Sequence, residues 1–508
     1  MRFKRSAGIL LHPTSLPGGF GIGDAGDSAF EFIDMLVESG QSLWQILPLG
    51  PTGYGDSPYQ CFSALAGNPM LIDLSQLAKE GDLEWAELGE SPEFPEEKVD
   101  YGPVISFKNA LLQRAAQRFR KSKHSRRSEL FEHFCKENED WLDDFALFMA
   151  LKDAHGGAVW NTWERDLVTR QPGALQEWRE RLDETIFAQR YFQFQFFRQW
   201  DKVKAAANNE GIQIVGDIPI FVAYDSVDVW AHPELFFLDD DLLPTRVAGV
   251  PPDYFSPTGQ LWGNPLYDWD KVAENDYAWW IRRFEQILTT VDIVRLDHFR
   301  GFAAYWAIDA GEPTAVKGEW EPGPGAQFFE AVRDALGELP IIAEDLGHIT
   351  EDVTALRDRF SFPGMNILQF AFASGPSNPY LPHNLAHNSV IYTGTHDNDT
   401  TLGWYQSREQ EELDACHQYL GPVNEPINWA LARMAYRCIS DLAILPLQDV
   451  LGLGTEGRMN TPGKLGGNWS WRYTKGAILP HHRAKLLEMA LTYGRKTPEE
   501  EQKRPEWM

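Results

Sequence analysis

Four stretches of the chain end an apolar run on acidic residues, and they hold the side chains best suited to chemistry. In VDIVRLDHFRG, residues two apart share a face of an extended chain. Val291, Ile293, Arg295 and Asp297 therefore point one way, and Val294 and Leu296 the other. An arginine two residues before an aspartate on one face favours the ionised acid, as a nucleophile requires. Taken alone, the pair reads more readily as a structural ion pair. In LPIIAEDLG, Glu344 and Asp345 point to opposite faces. Glu344 shares its face with Ile342, and a carboxyl near apolar walls has a raised pKa and can act as a general acid. In VIYTGTHDNDT, parity puts Ile391, Thr393, Thr395 and Asp397 on one face, with His396 beside them. In IQIVGDIPIFV, Val215 and Asp217 share a face, and Pro219 stops the strand. Each signal is weak alone. Together, four acids at four strand ends suit glycoside chemistry, in which one acid is nucleophile and another acid/base.

The elements that must position these groups are short apolar runs, at 8–11, 43–49, 212–221, 291–297, 339–345, 366–372, 390–397 and 443–450. Helical patterns lie between several of them. In 27–40, Ala29, Ile33, Leu36 and Val37 fall on one face, Asp27 can cap the start and Gly40 the end. Further helices are expected at 277–288, 326–336 and 350–360. Buried strands alternating with helices predict a parallel sheet, and eight of them a (β/α)8 TIM barrel of α/β class with its active site at the C-terminal strand ends. Two stretches exceed a minimal barrel. Residues 55–205, after strand 2, are largely helical and charged, as in 107–126 and 185–208. Residues 222–275, after strand 3, are rich in Pro, Gly, Asp and aromatics and suggest a lid or substrate loop. The expected organisation is one catalytic barrel domain over 1–508 with large, mainly helical insertions and no C-terminal β-domain. The chain ends in a charged segment, KTPEEEQKRPEW.

Bulk properties narrow the partners. A net charge of −28 repels nucleic acid and anionic membranes, so neither is expected as a partner, and a neutral substrate fits well. Four cysteines, Cys61, Cys135, Cys416 and Cys438, are widely spaced and suit a reducing compartment. The N-terminus has only a short apolar run, 7–11, and no stretch approaches a membrane span of about 20 apolar residues. A soluble, cytoplasmic protein is expected. The chain has 19 Trp, which suits either a large core or stacking against sugar rings; composition does not choose between them.

With their flanks, the four acidic strand ends resemble the four signature regions of the α-amylase clan. The chain is similar to the 4-α-glucanotransferases called amylomaltase or disproportionating enzyme, glycoside hydrolase family 77. The motifs that carry this resemblance are GILLHPTSLPGGFGIGD, LPLGPTGYGDSPYQ, GQLWGNPLYDW, GEWEPGPG, RMNTPG and GGNWSWR, spread over nearly the whole chain. The resemblance implies that Asp297 is the nucleophile, Glu344 the acid/base and Asp397 the acid that distorts the sugar and stabilises the transition state. It implies that Asp217, Arg295 and His396 contact the reacting sugar, with Tyr59 as a stacking platform and Ser57 nearby. Gln260, Trp262 and Asn264 would cover the glucan, and Asn460 would lie beside the site. Tyr54 and Tyr101 would form a second glucan site away from catalysis. No metal and no cofactor is implied. The expected partners are α-1,4-glucans (maltooligosaccharides, amylose) and glucose, and the expected state is a monomer or weak homo-oligomer. An α-amylase-type hydrolase and a non-catalytic glucan-binding protein are the alternatives.

Two motifs mislead. Residues 21–26 match G-x-G-x-x-G and open a helix, but residues 13–19 intervene where a dinucleotide site needs a strand, and Asp24 would repel phosphate. His383 and His387 have helical spacing but no glutamate beside them, so surface histidines are expected rather than a metal pair.

Overall fold

The computed structural model describes residues 3–122, 126–252, 256–464 and 466–496. Each of the eight expected runs contains or overlaps a strand: β1 (Ser6–Leu10), β2 (Leu43–Gln45), β3 (Gln213–Pro219), β4 (Ile293–Asp297), β5 (Ile341–Ala343), β6 (Gly364–Ile367), β7 (Ser389–Tyr392) and β8 (Leu442–Pro446). The 366–372 run is strand only at its first two residues and then turns as a 3-10 helix. They pair in parallel, each with its chain neighbours, and β8 closes on β1. Strand parity fills the barrel with Leu10, Leu43, Val215, Ile293, Ile342, Met365, Val390, Tyr392 and Ile444, a packed interior rather than a pore. The expected inward set on β4 holds from Ile293 onward. Val291 precedes the strand and packs outside the barrel.

Helices cover the outside at Asp27–Glu38, Asp183–Asn209, Ala278–Thr290, Gly325–Leu336 and Glu351–Arg359, close to where periodicity put them. At the first of these, Gly26 rather than Asp27 is the cap residue. Gly40 ends it at φ +72°, a left-handed turn that glycine adopts without strain. Between β6 and β7, residues 368–388 hold only 3-10 turns. Among the described residues no helix is long and apolar enough to cross a membrane.

The insertion after β2 is helical as expected. The 107–126 pattern, however, resolves into Tyr101–Lys121 and a second helix from Arg126 to Glu137. Asp183–Asn209 ties this insertion to the barrel. The Gln193 amide donates to the Gly67 carbonyl (2.9 Å) and accepts from its N–H (2.7 Å), and Gln199 does the same for Asp73 (3.2 and 2.7 Å). Gly67 is required here, because a Cβ would lie 1.9 Å from the Phe196 ring.

The stretch after β3 departs from expectation: it is not mainly helical. Gln260–Pro265 and Arg246–Val250 join Ala304–Asp309 and Glu319–Pro322 in a four-stranded antiparallel sheet over the barrel. Half of this sheet therefore comes from a third elaboration, after β4. The alternation of Tyr305 and Ala307 against Trp306 and Ile308 explains it. One set packs on the main core and the other on Val247 and Ala315. Residues 253–255 and the terminal charged segment from 497 lie outside the described residues.

Candidate active site

β3 and β4 are registered so that Asp217 faces Arg295 and Pro219 faces Asp297. Inward parity then gathers three charged groups on adjacent strands. Arg295 is buried and bridges two acids, with Nη1 2.6 Å from Asp217 Oδ2 and 2.9 Å from Asp297 Oδ1. The Tyr59 hydroxyl donates to the same Asp217 oxygen at 2.6 Å. Asp217 Oδ1 is buried with no partner among the described residues, leaving an acceptor at the barrel mouth. The Asp297 side chain stays 28% exposed, so it is reachable from the cleft. Burial raises its pKa, Arg295 opposes this, and the Asp217 and Asp397 charges add to it. The arginine therefore offsets burial rather than setting ionisation alone, a correction to the reading from spacing.

Glu344 follows β5 by one residue, and the ladder runs on past the strands. Its N–H donates to the Leu296 carbonyl (3.0 Å), and its carbonyl accepts from Phe299 (3.0 Å). The carboxylate accepts from two backbone N–H groups, His298 at 2.7 Å and Leu346 at 3.1 Å. Burial is the largest influence on it, and the Asp297 charge the next. Together they push its pKa to about 8, against Arg295 and those two N–H groups. Asp345 faces the other way, as parity predicts, and accepts from Arg357 at 2.6 Å and from the Met365 N–H at 2.8 Å. The two carboxyls Asp297 and Glu344 lie in unlike surroundings, one bridged by an arginine and one with its pKa pushed to about 8, the kind of pairing that glycoside chemistry can use.

Asp397 reaches the site by another route. β7 ends at Tyr392, so parity does not apply to residues 393–399; these form a loop. Asn398 Oδ1 accepts from the Thr395 N–H (2.8 Å) and hydroxyl (2.9 Å), which folds the turn. The Asn460 amide donates to Asp397 Oδ1 at 2.6 Å, and Arg458 donates to the Asp397 carbonyl at 2.7 Å. His396 Nε2 lies 3.4 Å from Asp397 Oδ2, so these two neighbours share one site instead of opposite faces. The Asp397 side chain is 45% exposed and more open than Asp297, whereas Asp217 is closed.

An aromatic wall stands beside these acids. The Tyr59 ring stacks on His396 at 5.2 Å and 14°, and Trp469 packs on both, at 5.7 and 5.9 Å. The Tyr59 phenol is held well above its ordinary pKa by burial and by Asp217, so it remains a donor. Ser57 serves this wall through its hydroxyl, which accepts from the Tyr59 N–H at 3.2 Å.

The strand Gln260–Pro265 comes over the same region. The Trp262 indole donates to Gln260 Oε1 at 3.2 Å, and its ring meets the His298 ring edge-on at 4.8 Å. Asn264 is buried. Its amide donates to the Val222 carbonyl (2.8 Å) and accepts from Gln60 (3.2 Å), so it holds the loop rather than facing the cleft. The Tyr54 and Tyr101 pair is unequal: Tyr54 is 79% exposed, whereas Tyr101 opens a helix and its hydroxyl donates to the Trp469 carbonyl at 2.9 Å. His383 contacts the Tyr419 hydroxyl and the Pro376 carbonyl.

Several contributors escaped the sequence reading. Trp469 and Arg458 lie within GGNWSWR and RMNTPG, which gave their signal as motifs without singling out these side chains. His12 lies within GILLHPTS; it is buried, accepts from the Leu47 N–H at 3.3 Å, and is held neutral by burial and by His396, at a pKa of about 3. His298 lies within VDIVRLDHFRG, directly after Asp297.

Comparison with known proteins agrees with this geometry. A family model described as 4-alpha-glucanotransferase matches residues 11–478. The chain is 53% identical to a 4-alpha-glucanotransferase of Synechocystis over 500 residues, 97% of this chain and 98% of that one. It is 51% identical to a 4-alpha-glucanotransferase of Thermus thermophilus, over 96% of this chain and 99% of the other. Its structure is similar to that of an amylomaltase from Streptococcus agalactiae solved in complex with acarbose. The TM-score is 0.95 at 42% identity, over 97% of this chain and 100% of that one. A match spanning almost the whole barrel, its insertions and all four acidic strand ends means that the chain belongs to the 4-alpha-glucanotransferase family, glycoside hydrolase family 77.

Proposed function

We propose that this enzyme moves α-1,4-glucan segments from a donor to the 4-hydroxyl of an acceptor glucan or glucose, by a retaining double displacement. The observation that carries this reading is the contrast between Asp297, bridged by Arg295, and Glu344, pushed to a pKa of about 8 close by. Glu344 protonates the glycosidic oxygen while Asp297 attacks the anomeric carbon, and the leaving glucan departs with the proton. The glucosyl-enzyme ester forms with inversion. Glu344, now a carboxylate, takes the proton from an acceptor 4-hydroxyl; that oxygen attacks the same carbon, Asp297 leaves, and the second inversion restores the α configuration.

Around this exchange, the buried Asp217 and Arg295 hold the reacting sugar, and Tyr59 and His396 offer it a stacked wall. Asp397, open and oriented by Asn460, binds hydroxyls more strongly as the ring flattens. The strand bearing Gln260 and Trp262 covers the intermediate and disfavours water. The exposed Tyr54 ring supports a second glucan contact away from the acids; Tyr101, with its hydroxyl engaged, adds only ring surface. In this reading the whole chain is one catalytic unit, in which residues 55–205 and 222–275 shape the cleft.

Incubation with maltotriose tests the function. A ladder of longer glucans together with glucose is expected. Glucose and maltose alone would instead establish a hydrolase, and no turnover a binding protein.

A further inference from the structure

His298 stands at the junction of three parts of the site. It directly follows Asp297 and starts the 3-10 turn Phe299–Phe302. Its backbone is left-handed, with φ 55° and ψ 50°, a conformation most side chains resist and histidine, asparagine and glycine tolerate better. That turn aims its N–H at Glu344 Oε2, 2.7 Å away. The hydrogen bonds from Glu344 to Leu296 and from Phe299 to Glu344 pin the backbone on both sides of it. Its ring points to a different neighbour: it meets Trp262 edge-on at 4.8 Å, and Gly301 leaves just enough room, since a Cβ there would lie 3.2 Å from the imidazole. Nε2 is buried with no partner among the described residues. Burial and Arg300 keep the ring neutral, at a pKa of about 3, so it does not compete with Glu344 for protons at neutral pH.

One residue thus presents its backbone to the proton donor and its ring to the covering strand. We propose that His298 is a positioning residue that couples Trp262 to Glu344. Displacement of Trp262 by a glucan shifts the imidazole; with Leu296 and Phe299 held to the Glu344 backbone, the movement is taken up at His298 and turns the N–H that orients the Glu344 carboxyl. The donor is then aligned when sugar, rather than water, fills the cleft. The inference rests on Glu344 being the acid/base of the proposed transferase.

His298→Asn and His298→Gly test it, because both keep the left-handed turn and its N–H while removing the ring. With maltotriose, the transfer-to-hydrolysis ratio is expected to fall roughly threefold or more in either variant, the size of a modest coupling between contacting residues. Trp262→Ala is expected to lower the ratio alone and to lower it no further in the His298→Asn background. An unchanged ratio in both His298 variants, or additive effects of the two sites, would overturn the coupling. So would failure of both variants to fold, which would make His298 a structural residue. Glu344→Gln with maltotriose, run alongside, separates the two levels. If it stays active, the reading of the site fails; if it is inactive while the ratios are unmoved, only the coupling fails.

Discussion

The strand-borne half of the site and its loop-borne half are held by different forces. Asp217, Arg295 and Asp297 sit on β3 and β4, where backbone register sets their spacing and one buried arginine links both acids. His396, Asp397 and Asn460 sit on loops, held by side-chain amides, an arginine and ring stacking, and Asp397 is 45% exposed. The strand half couples activity to stability. The loop half can change activity with little effect on folding, because its charge never left water fully.

Arg295→Met should produce the largest loss. It strands the Asp217 carboxylate in the barrel without a counter-ion, which costs about 3–5 kcal/mol. Urea unfolding should record that loss together with a loss of turnover. Asp397→Asn should lower kcat by about 10²–10³-fold, the scale of one stabilising group in a transition state, with a melting temperature close to wild type. A large drop in melting temperature would erase the proposed difference between the halves.

Glu344, one residue past β5, sharpens the comparison through pH. Glu344 in the folded protein holds its proton to about pH 8, whereas an unfolded glutamate releases it near 4.5. The folded state therefore binds more protons between these values, and stability falls as pH rises through that window. Glu344→Gln removes this dependence, so the stability gap between variant and wild type should widen in favour of the variant from about pH 4.5 to about pH 8. A constant gap across the window would mean that the carboxyl is not perturbed. The smallest effect is expected from Trp262→Ala. Folding should be unchanged and the share of hydrolysis should rise, as read from glucose and reducing ends released from maltotriose.

The same divide governs what the sequence made legible. On β3 and β4, period-two alternation put Asp217, Arg295 and Asp297 inside the barrel, and the structure agrees. One residue beyond β5, Glu344 still followed parity because hydrogen bonds extend the ladder past Ala343. On β7 the rule misled: it grouped Asp397 with Ile391, but Val390 and Tyr392 face into the barrel and Ile391 packs outside, and beyond Tyr392 the chain is no longer a strand. Asp397 reaches the site through a turn made by Asn398 and an amide from Asn460, and only motif resemblance brought those residues together. Trp469, at φ +63°, joins Tyr59 and His396 from the far end of the chain, a contact that no local pattern encodes. The antiparallel sheet over the barrel was missed for a related reason. Its strands come from two separate insertions, and each half alone reads as loop. For Asp297, spacing revealed the arginine but not the depth of burial, which proved the larger influence.

In the proposed mechanism Asp297 forms a covalent bond to the glucan while Glu344 handles the proton. Glu344→Gln should still be glycosylated by an α-maltosyl fluoride, whose leaving group needs no acid, and should then turn over slowly. Mass spectrometry of rapidly quenched, digested protein should find the maltosyl adduct on the peptide containing Asp297, attached at that residue. An adduct at Asp217 or Asp397, or turnover with inverted anomeric configuration and no adduct, would contradict the account.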